Sequence, residues 1–109
     1  MARRIYHGEI WLYAFSFPGK RRPVVVLTRQ EVIGLLHTVM VAPITSTIRG
    51  APSEVAVGTN EGLRRDSAVN LDHVQTVDKR RLKSFVGSLG KVKLDAVCRA
   101  LAIAIGCED

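Results

Sequence analysis

The sequence predicts an α+β fold, in which short antiparallel strands curl into a small β-barrel and one α-helix follows. Short apolar runs recur between glycine and proline turns, which is typical of strands. Residues 91–105 have the length and apolar periodicity of a helix. A chain of 109 residues is long enough to bury a core, so residues 1–109 are expected to form one domain. Strands this short fit most easily into a curled antiparallel sheet.

The first three strands are predicted at residues 9–15, 24–28 and 37–44. The first carries apolar side chains on both faces, and the second is apolar throughout, which predicts burial on both faces. Pro23 is expected to open the second strand, where its missing N–H is harmless, and Pro43 to stop the third. The segment between the second and third strands is compatible with a helical turn or a loop.

The later strands are shorter. They are predicted at residues 53–57, 67–71, 74–77 and 85–89. The middle two form either separate strands or one bent strand. Asp78 is placed to cap a short helical turn that follows it.

The C-terminal helix is apolar on more than one side. Val92, Val97, Leu101 and Ile105 fall on one face, and Gly106 is expected to end the helix. Alanines and an isoleucine occupy much of the opposite side. A terminal helix with so little polar surface is typical of a dimer contact.

Charge and composition favour an acidic partner. Sixteen basic and ten acidic residues give a net charge of +6, as in many nucleic-acid-binding proteins. The cluster of Lys79, Arg80, Arg81 and Lys83 is interpreted as a solvated face. The two cysteines form neither a disulfide framework nor a metal-binding pair, and no metal or cofactor is expected. No apolar run approaches the roughly 18 residues of a membrane span, so a cytoplasmic protein is expected.

Two polar segments lie at the ends of apolar strands. Lys20, Arg21 and Arg22 precede the second strand, whereas the sequence Thr45-Ser46-Thr47 follows the third, with Arg49 shortly after. Strands hold such side chains rigidly, and strand ends expose them. Cations and hydroxyls in this arrangement indicate a site that handles a phosphodiester.

With these segments in order, the chain resembles the MazF/PemK toxin family over residues 8–106. The matching stretches are Gly8-Glu9-Ile10-Trp11-Leu12, Arg21-Arg22-Pro23-Val24-Val25-Val26-Leu27, Val41-Ala42-Pro43-Ile44-Thr45-Ser46-Thr47, Pro52-Ser53-Glu54-Val55, Gly62-Leu63, Asp66-Ser67-Ala68-Val69-Asn70 and Val74-Gln75-Thr76-Val77-Asp78-Lys79. The final match is Gly87, followed by a helix that ends with Ala100-Leu101 and then Gly106. Their shared order and spacing carry the resemblance.

The resemblance implies an SH3-like barrel with a C-terminal helix, assembled as a homodimer. It also implies the toxin of a toxin–antitoxin pair: a metal-independent endoribonuclease that cuts single-stranded RNA and is silenced by a cognate antitoxin protein. Family members use the neighbouring 2′-hydroxyl and leave a 2′,3′-cyclic phosphate and a 5′-hydroxyl. The catalytic arginine of the family falls on Arg22 and its catalytic threonine on Thr45.

Further residues are predicted to bind RNA. Lys20, Arg21 and Arg49 suit phosphates, whereas Ser46, Thr47 and Gln75 suit base edges of a splayed strand. Phe17 offers a stacking surface. The loop at residues 16–20 is shorter than in many relatives and holds no carboxylate, which bears on cleavage-site preference and on activity.

Three alternatives compete with this interpretation. A ribonuclease mechanism with two histidines would draw on His7, His37 and His73, but it is rejected as the main mechanism because a lone histidine is more often structural or exposed than catalytic. A non-catalytic toxin of the same fold would act by protein binding, as in a related family that poisons DNA gyrase. A degenerate member would bind RNA without cutting it.

Overall fold

The structure, a computed structural model, describes residues 4–15 and 20–107. Within them, two helices are formed, α1 (Gln30–Ile33) and α2 (Lys91–Ala104). Single 3₁₀ turns lie at Thr59–Glu61, Leu71–His73 and Lys79–Arg81. The strands are β1 (Glu9–Ala14), β2 (Arg21–Val26), β3 (Thr38–Thr45), β4 (Glu54–Val57), β5 (Ser67–Asn70), β6 (Gln75–Asp78) and β7 (Leu82–Ser88).

All strand pairs are antiparallel, and the strands follow the order β4-β5-β3-β2-β1-β7, with β6 also paired to β3. The predicted α+β class, with a barrel-like antiparallel sheet and a C-terminal helix, is confirmed. The sheet is nevertheless open, because β4 and β7 form its two ends and no ladder joins them in the described part of the chain.

Strand β3 changes partners along one of its edges. Its first half pairs with β6 from Thr38 to Val41, and its last two residues pair with β5. The prediction that Pro43 stops this strand is wrong, since β3 continues to Thr45. Pro43 lies in the gap between β6 and β5, where a missing N–H interrupts neither ladder.

Strand β2 begins two residues earlier than predicted. Arg21 and Arg22 belong to the strand and pair with Ala14 and Tyr13 of β1. The prediction that Pro23 opens the strand is therefore wrong. Because successive side chains of a strand point to opposite faces, Arg21 and Arg22 face opposite ways.

The core consists of two apolar clusters on the two faces of the sheet. Val24, Val25 and Val26 are all fully buried, which confirms the prediction for this strand. Val25 packs in one cluster with Ile10, whereas its two neighbours pack in the other, with Trp11. The alternation along β2 thus supplies both clusters.

Helix α2 covers the first cluster, but with only part of the predicted face. Val97 is buried and Leu101 packs against the cluster, whereas Val92 is 80% and Ile105 64% exposed. Leu94 packs inward instead of Val92. The prediction is therefore confirmed for Val97 and Leu101 and wrong for Val92 and Ile105, since the inward stripe consists of residues 94, 97, 100, 101 and 104.

The structure decides between the alternatives that the sequence left for two segments, the one between β2 and β3 and the one at residues 67–77. Residues 30–33 form a helical turn, and the strands β5 and β6 are separate. Asp78 caps the turn that follows it by accepting a hydrogen bond from the backbone N–H of Arg80 at 2.8 Å. No helix in the described ranges is long and apolar enough to cross a membrane.

Candidate functional site

A cleft of about 680 Å³ opens where β2 and β3 meet edge strand β7 and the segment before β5. It is lined by Leu12, Arg22, Pro23, Ile44, Thr45, Ser46, Thr47, Gly62, Leu63, Arg64, Arg65, Ser67, Phe85 and Val86. These lining residues include three arginines and four hydroxyl side chains, and none is a carboxylate. The cleft therefore favours a polyanion.

The β2–β3 register explains why Arg22 and Thr45 meet. Val24 lies opposite Pro43 in this antiparallel ladder, so continuing the register by two residues places Arg22 opposite Thr45. Directly opposite residues project from the same face of a sheet. Both side chains line the cleft.

The side chain of Arg22 is exposed and forms no hydrogen bond or ion pair with any described residue. Its backbone is held in the β1–β2 ladder opposite Tyr13. An unpaired guanidinium group on a fixed backbone is able to bind two oxygens of one phosphate.

The hydroxyl group of Thr45 has a defined orientation. Its Oγ1 accepts a hydrogen bond from the backbone N–H of Thr47 at 3.0 Å, which forms a tight turn at the end of β3. A hydroxyl has one donor and can accept from more than one group. Since the backbone uses an acceptor position, the proton of Thr45 is available to a ligand in the cleft.

The loop after β3 is tied down by Glu54. Its Oε1 accepts hydrogen bonds from the backbone N–H groups of Arg49, at 3.1 Å, and Gly50, at 2.9 Å. Gly50 has a φ of +73°, which favours glycine. This carboxylate therefore fixes the path of the chain that carries Ser46 and Thr47.

The segment that carries Arg64 and Arg65 reaches the cleft through a close glycine contact. A Cβ atom on Gly62, whose φ is +95°, would lie 2.5 Å from the carbonyl oxygen of Val86. A Cβ atom on Gly87 would lie 2.1 Å from the carbonyl oxygen of Glu61. The two glycines thus let this segment pack directly onto β7.

The structure brings together four of the predicted site residues. Arg22, Thr45, Ser46 and Thr47 all line the cleft. By contrast, Lys20, Arg21, Arg49 and Gln75 are exposed and do not line it. Phe17, and residues 16–19 of the predicted short loop, lie outside the described residues. The roles of all these residues remain predictions.

Sequence reasoning missed Arg64, Arg65 and Phe85, which also line the cleft. The two arginines follow the Gly62 turn as an adjacent pair, a signal that was present in the sequence. Phe85 was assigned only to a strand. All three are distant in sequence from Arg22, and packing of the segment onto β7 unites them.

The interpretation of the second basic cluster as a solvated face is wrong for two of its members. Lys79 Nζ donates a hydrogen bond to the Ile33 carbonyl at 2.6 Å. Arg81 Nε donates to the Ala14 carbonyl, also at 2.6 Å. Arg80 and Lys83 are exposed. The cluster therefore partly stabilises the fold.

Arg80 does form an ion pair, with Asp78, at 2.8 Å. Hydrogen bonds from the Arg80 side chain and then from its backbone N–H lower the pKa of Asp78 to about 2. The same pair raises the pKa of Arg80 above its ordinary value.

The three histidines lie apart from the cleft. His7 Nδ1 contacts the Thr28 carbonyl oxygen at 3.1 Å, and His73 Nδ1 lies 3.3 Å from the Asn70 amide nitrogen. His37 is exposed and is not a lining residue. The geometry does not support a mechanism with two histidines in this cleft.

The fold and the cleft define a class: a small open β-barrel-like protein with an α-helix and a cationic, hydroxyl-rich binding site. The model of the family described as "PemK-like, MazF-like toxin of type II toxin-antitoxin system" matches residues 6–105. The chain belongs to this family.

Individual relatives agree with this assignment. The chain is 43% identical over 102 residues to the probable endoribonuclease MazF5 of Mycobacterium tuberculosis strain H37Rv, and the match covers 93% of each chain. The solved structure of the Mycobacterium tuberculosis toxin MazF-mt6 has a TM-score of 0.85 and 35% identity, and covers 93% of this chain and 99% of its own.

A complex is also among the similar structures. A MazE-MazF crystal structure from Deinococcus radiodurans matches with a TM-score of 0.78 and 26% identity, over 99% of this chain and all of the matched chain. The predicted membership of the MazF/PemK toxin family is confirmed.

Proposed function

We propose that this protein is the toxin of a type II toxin–antitoxin system and acts as an endoribonuclease on single-stranded RNA. The RNA supplies the nucleophile, a 2′-hydroxyl, and the products carry a 2′,3′-cyclic phosphate and a 5′-hydroxyl. The observation that carries the proposal is the convergence of Arg22 and Thr45 in one cationic cleft, with no carboxylate among the described residues that line it. The curated relatives with endoribonuclease names support the class of reaction.

Arg22 stabilises the transition state in this proposal. Attack by the 2′-hydroxyl on the phosphate concentrates negative charge on the non-bridging oxygens. A guanidinium group remains protonated at physiological pH, so it serves as an electrostatic clamp and not as a base. The strand ladder fixes the backbone of Arg22 beside the cleft, so its guanidinium group reaches the phosphate from a defined anchor point.

Thr45 donates its hydroxyl proton to a non-bridging oxygen of the same phosphate. The backbone hydrogen bond from Thr47 orients Oγ1, so the donor is preorganised. Ser46 and Thr47 line the cleft beside it and are proposed to contact the adjoining base edges. Lys20, Arg21, Arg49 and Gln75 are proposed to hold flanking nucleotides beyond the cleft.

The protein is proposed to be a homodimer. Helix α2 exposes Val92 and Ile103, Ile105 is exposed directly after its end, and a groove of about 430 Å³ separates this helix from β4. Isolated apolar side chains are common on protein surfaces, but three on and directly after one helix favour an interface. Light scattering coupled to size exclusion is expected to give a mass near twice the chain mass of 12.0 kDa.

A cognate antitoxin is the proposed regulatory partner in the cytoplasm. The cleft combines three arginines with apolar side chains of Leu12, Leu63 and Val86. A segment with acidic and apolar residues would complement both features, and it would compete with RNA.

The test is cleavage of a mixed-sequence RNA by the purified protein in the presence of a chelator. Cut sites are mapped by primer extension, and end chemistry is determined by phosphatase and kinase treatment. Discrete cuts with cyclic phosphate ends are expected, since the nucleophile comes from the RNA itself. Loss of cleavage on chelation, or ends with a 5′-phosphate, would contradict the proposed reaction.

A further inference from the structure

We propose that Phe85, Arg64 and Arg65 form a nucleotide subsite in the cleft. In this subsite the base next to the scissile phosphate stacks on Phe85, and the adjoining phosphates pair with Arg64 and Arg65. The inference rests on the proposed endoribonuclease function, and it proposes that these three residues bind a nucleotide next to the cleavage site.

Phe85 is a large aromatic side chain that stays 39% exposed within a strand. It lies on edge strand β7 and lines the cleft. Its ring contacts that of its cross-strand neighbour Trp11, with centroids 6.0 Å apart and planes at 80°.

Trp11 is a rigid support for this ring. It is 4% exposed, and its indole Nε1 donates a hydrogen bond to Glu9 Oε1 at 3.0 Å. An edge-to-face contact with an anchored ring restricts the rotamers of Phe85. The ring is therefore ordered before a ligand binds, which reduces the entropic cost of stacking.

Arg64 and Arg65 are exposed side chains that both line the cleft, and neither has an ion-pair partner in residues 4–15 or 20–107. The nearest carboxylate along the chain, Asp66, lines a different groove together with Lys93. The cations of this segment are thus not neutralised from within the cleft.

The backbone under the two arginines is fixed. Ser67 Oγ donates a hydrogen bond to the Arg65 carbonyl at 3.1 Å, and Gly62 packs onto the backbone of β7. The first contact is made by Arg65 itself and the second lies two residues before Arg64, so the backbone that carries both side chains is held beside the cleft.

The combined surface matches the two parts of a nucleotide. A nucleobase presents a flat π face, and its phosphates present charge. Phe85 offers an aromatic surface, whereas Arg64 and Arg65 offer guanidinium groups. Base stacking of this kind tolerates any base, and the arginine contacts act on the backbone. The subsite is thus expected to strengthen binding of single-stranded RNA more than to select its sequence.

The first test measures fluorescence anisotropy of a short RNA that contains a mapped cut site and a 2′-deoxy nucleotide at the cut, so that it binds without being cleaved. Phe85→Leu keeps an apolar side chain but removes the π face, and a loss in affinity of about 5- to 150-fold is expected, the range for one base stack. Phe85→Tyr keeps the ring and is expected to bind within about threefold of the wild type. Trp11 is the only tryptophan of the chain, so its fluorescence reports whether the substitution disturbs the packing of the Trp11 ring.

An abasic scan of the same RNA locates the stacked base. Removing that one base is expected to weaken binding to the wild type by as much as Phe85→Leu does, and to have no further effect on the variant. Equal losses in the wild type and in Phe85→Leu at every position would overturn the stacking assignment. So would wild-type affinity of Phe85→Leu.

The proposed phosphate contacts of the arginines are tested through the salt dependence of RNA affinity. Arg64→Gln is expected to weaken binding for all sequences and to lower the slope of log Kd against log salt by about one. Lys83→Gln is the matched control, because Lys83 is an exposed cation of β7 that does not line the cleft, and its slope is expected to be unchanged. Equal slopes for both variants would refute a phosphate contact at Arg64.

Failure of the subsite is distinguishable from failure of the proposed function. A wild-type protein that cleaves RNA while Phe85→Leu and Arg64→Gln behave normally would overturn the subsite alone. A wild-type protein that neither binds nor cleaves RNA would overturn both. Variants that bind RNA normally but lose affinity for an acidic peptide would assign these residues to a protein partner instead.

Discussion

Replacement of Arg22 by alanine separates catalysis from binding in this cleft. Arg22 is one of three lining arginines, so two cations remain to hold the RNA backbone when it is removed. The loss is therefore expected mainly in kcat and little in KM. Removing one preorganised group that stabilises transition-state charge typically costs 10²- to 10³-fold, so we expect a decrease of about 10³-fold, or about 4 kcal/mol.

Arg21 provides a matched comparison on the same strand. It is the adjacent arginine, equally exposed, and faces the opposite side of β2. Arg21→Ala is expected to raise KM a few-fold with kcat unchanged, since it would lose at most a flanking phosphate contact. Arg22→Lys keeps the charge but lacks the planar fork, and an intermediate kcat is expected.

The assay is single-turnover cleavage of a fluorescent RNA with a mapped site, over a range of protein concentrations. Thermal melting of each variant checks the fold, and a change within about 0.5 kcal/mol is expected for an exposed side chain without partners. Equal effects of Arg21→Ala and Arg22→Ala on kcat would refute the assignment, because the strand faces would then not matter.

Three further predictions concern the hydroxyl, the glycine contact and the surface ion pair. Thr45→Val is expected to lower kcat about 10- to 100-fold while Thr45→Ser retains most activity, and equal rates for both in the cleavage assay would remove the hydroxyl from the mechanism. Gly62→Ala is expected to destabilise the fold by about 1–3 kcal/mol in urea unfolding, because Gly62 has a positive φ and the added Cβ would lie 2.5 Å from a carbonyl oxygen of β7. Gly34→Ala is the control and is expected to be neutral or slightly stabilising, because there is open space around Gly34. The carboxyl of Asp78 is expected to titrate near pH 2 by NMR, so that its stabilising effect on the fold is lost only as the pH falls from about 4 to 2. Arg80→Ala is expected to move the titration midpoint of Asp78 upward, because Arg80 lowers this pKa.

The sequence predicted the strand pattern well because the local pattern of apolar and polar residues indicates which side chains of a strand are buried. The run Val24-Val25-Val26 indicated a central strand, and all three side chains are fully buried. The same reasoning failed at Pro43, where a strand continues through a residue that often ends strands. A change of partners along that edge permits this, and partner choice is not a local property.

The face of helix α2 shows the same limit. Apolar residues surround much of this helix, and periodicity alone predicted Val92 and not Leu94 as an inward side chain, which is wrong. The packing of Leu94, Val97 and Leu101 on the sheet made that choice. Val92 was left at the surface.

By itself, the sequence determined the fold class, the family and the two polar strand ends that carry Arg22 and Thr45. These follow from local patterns and from the order of motifs along the chain. The tertiary structure decided which side chains share the cleft. Continuing the β2–β3 register places Arg22 opposite Thr45, and close packing at Gly62 brings Arg64 and Arg65 to the cleft, whereas Arg21 and Arg49 do not line it. The physical reason is that strand register and backbone contact join residues far apart in sequence, which no local pattern specifies.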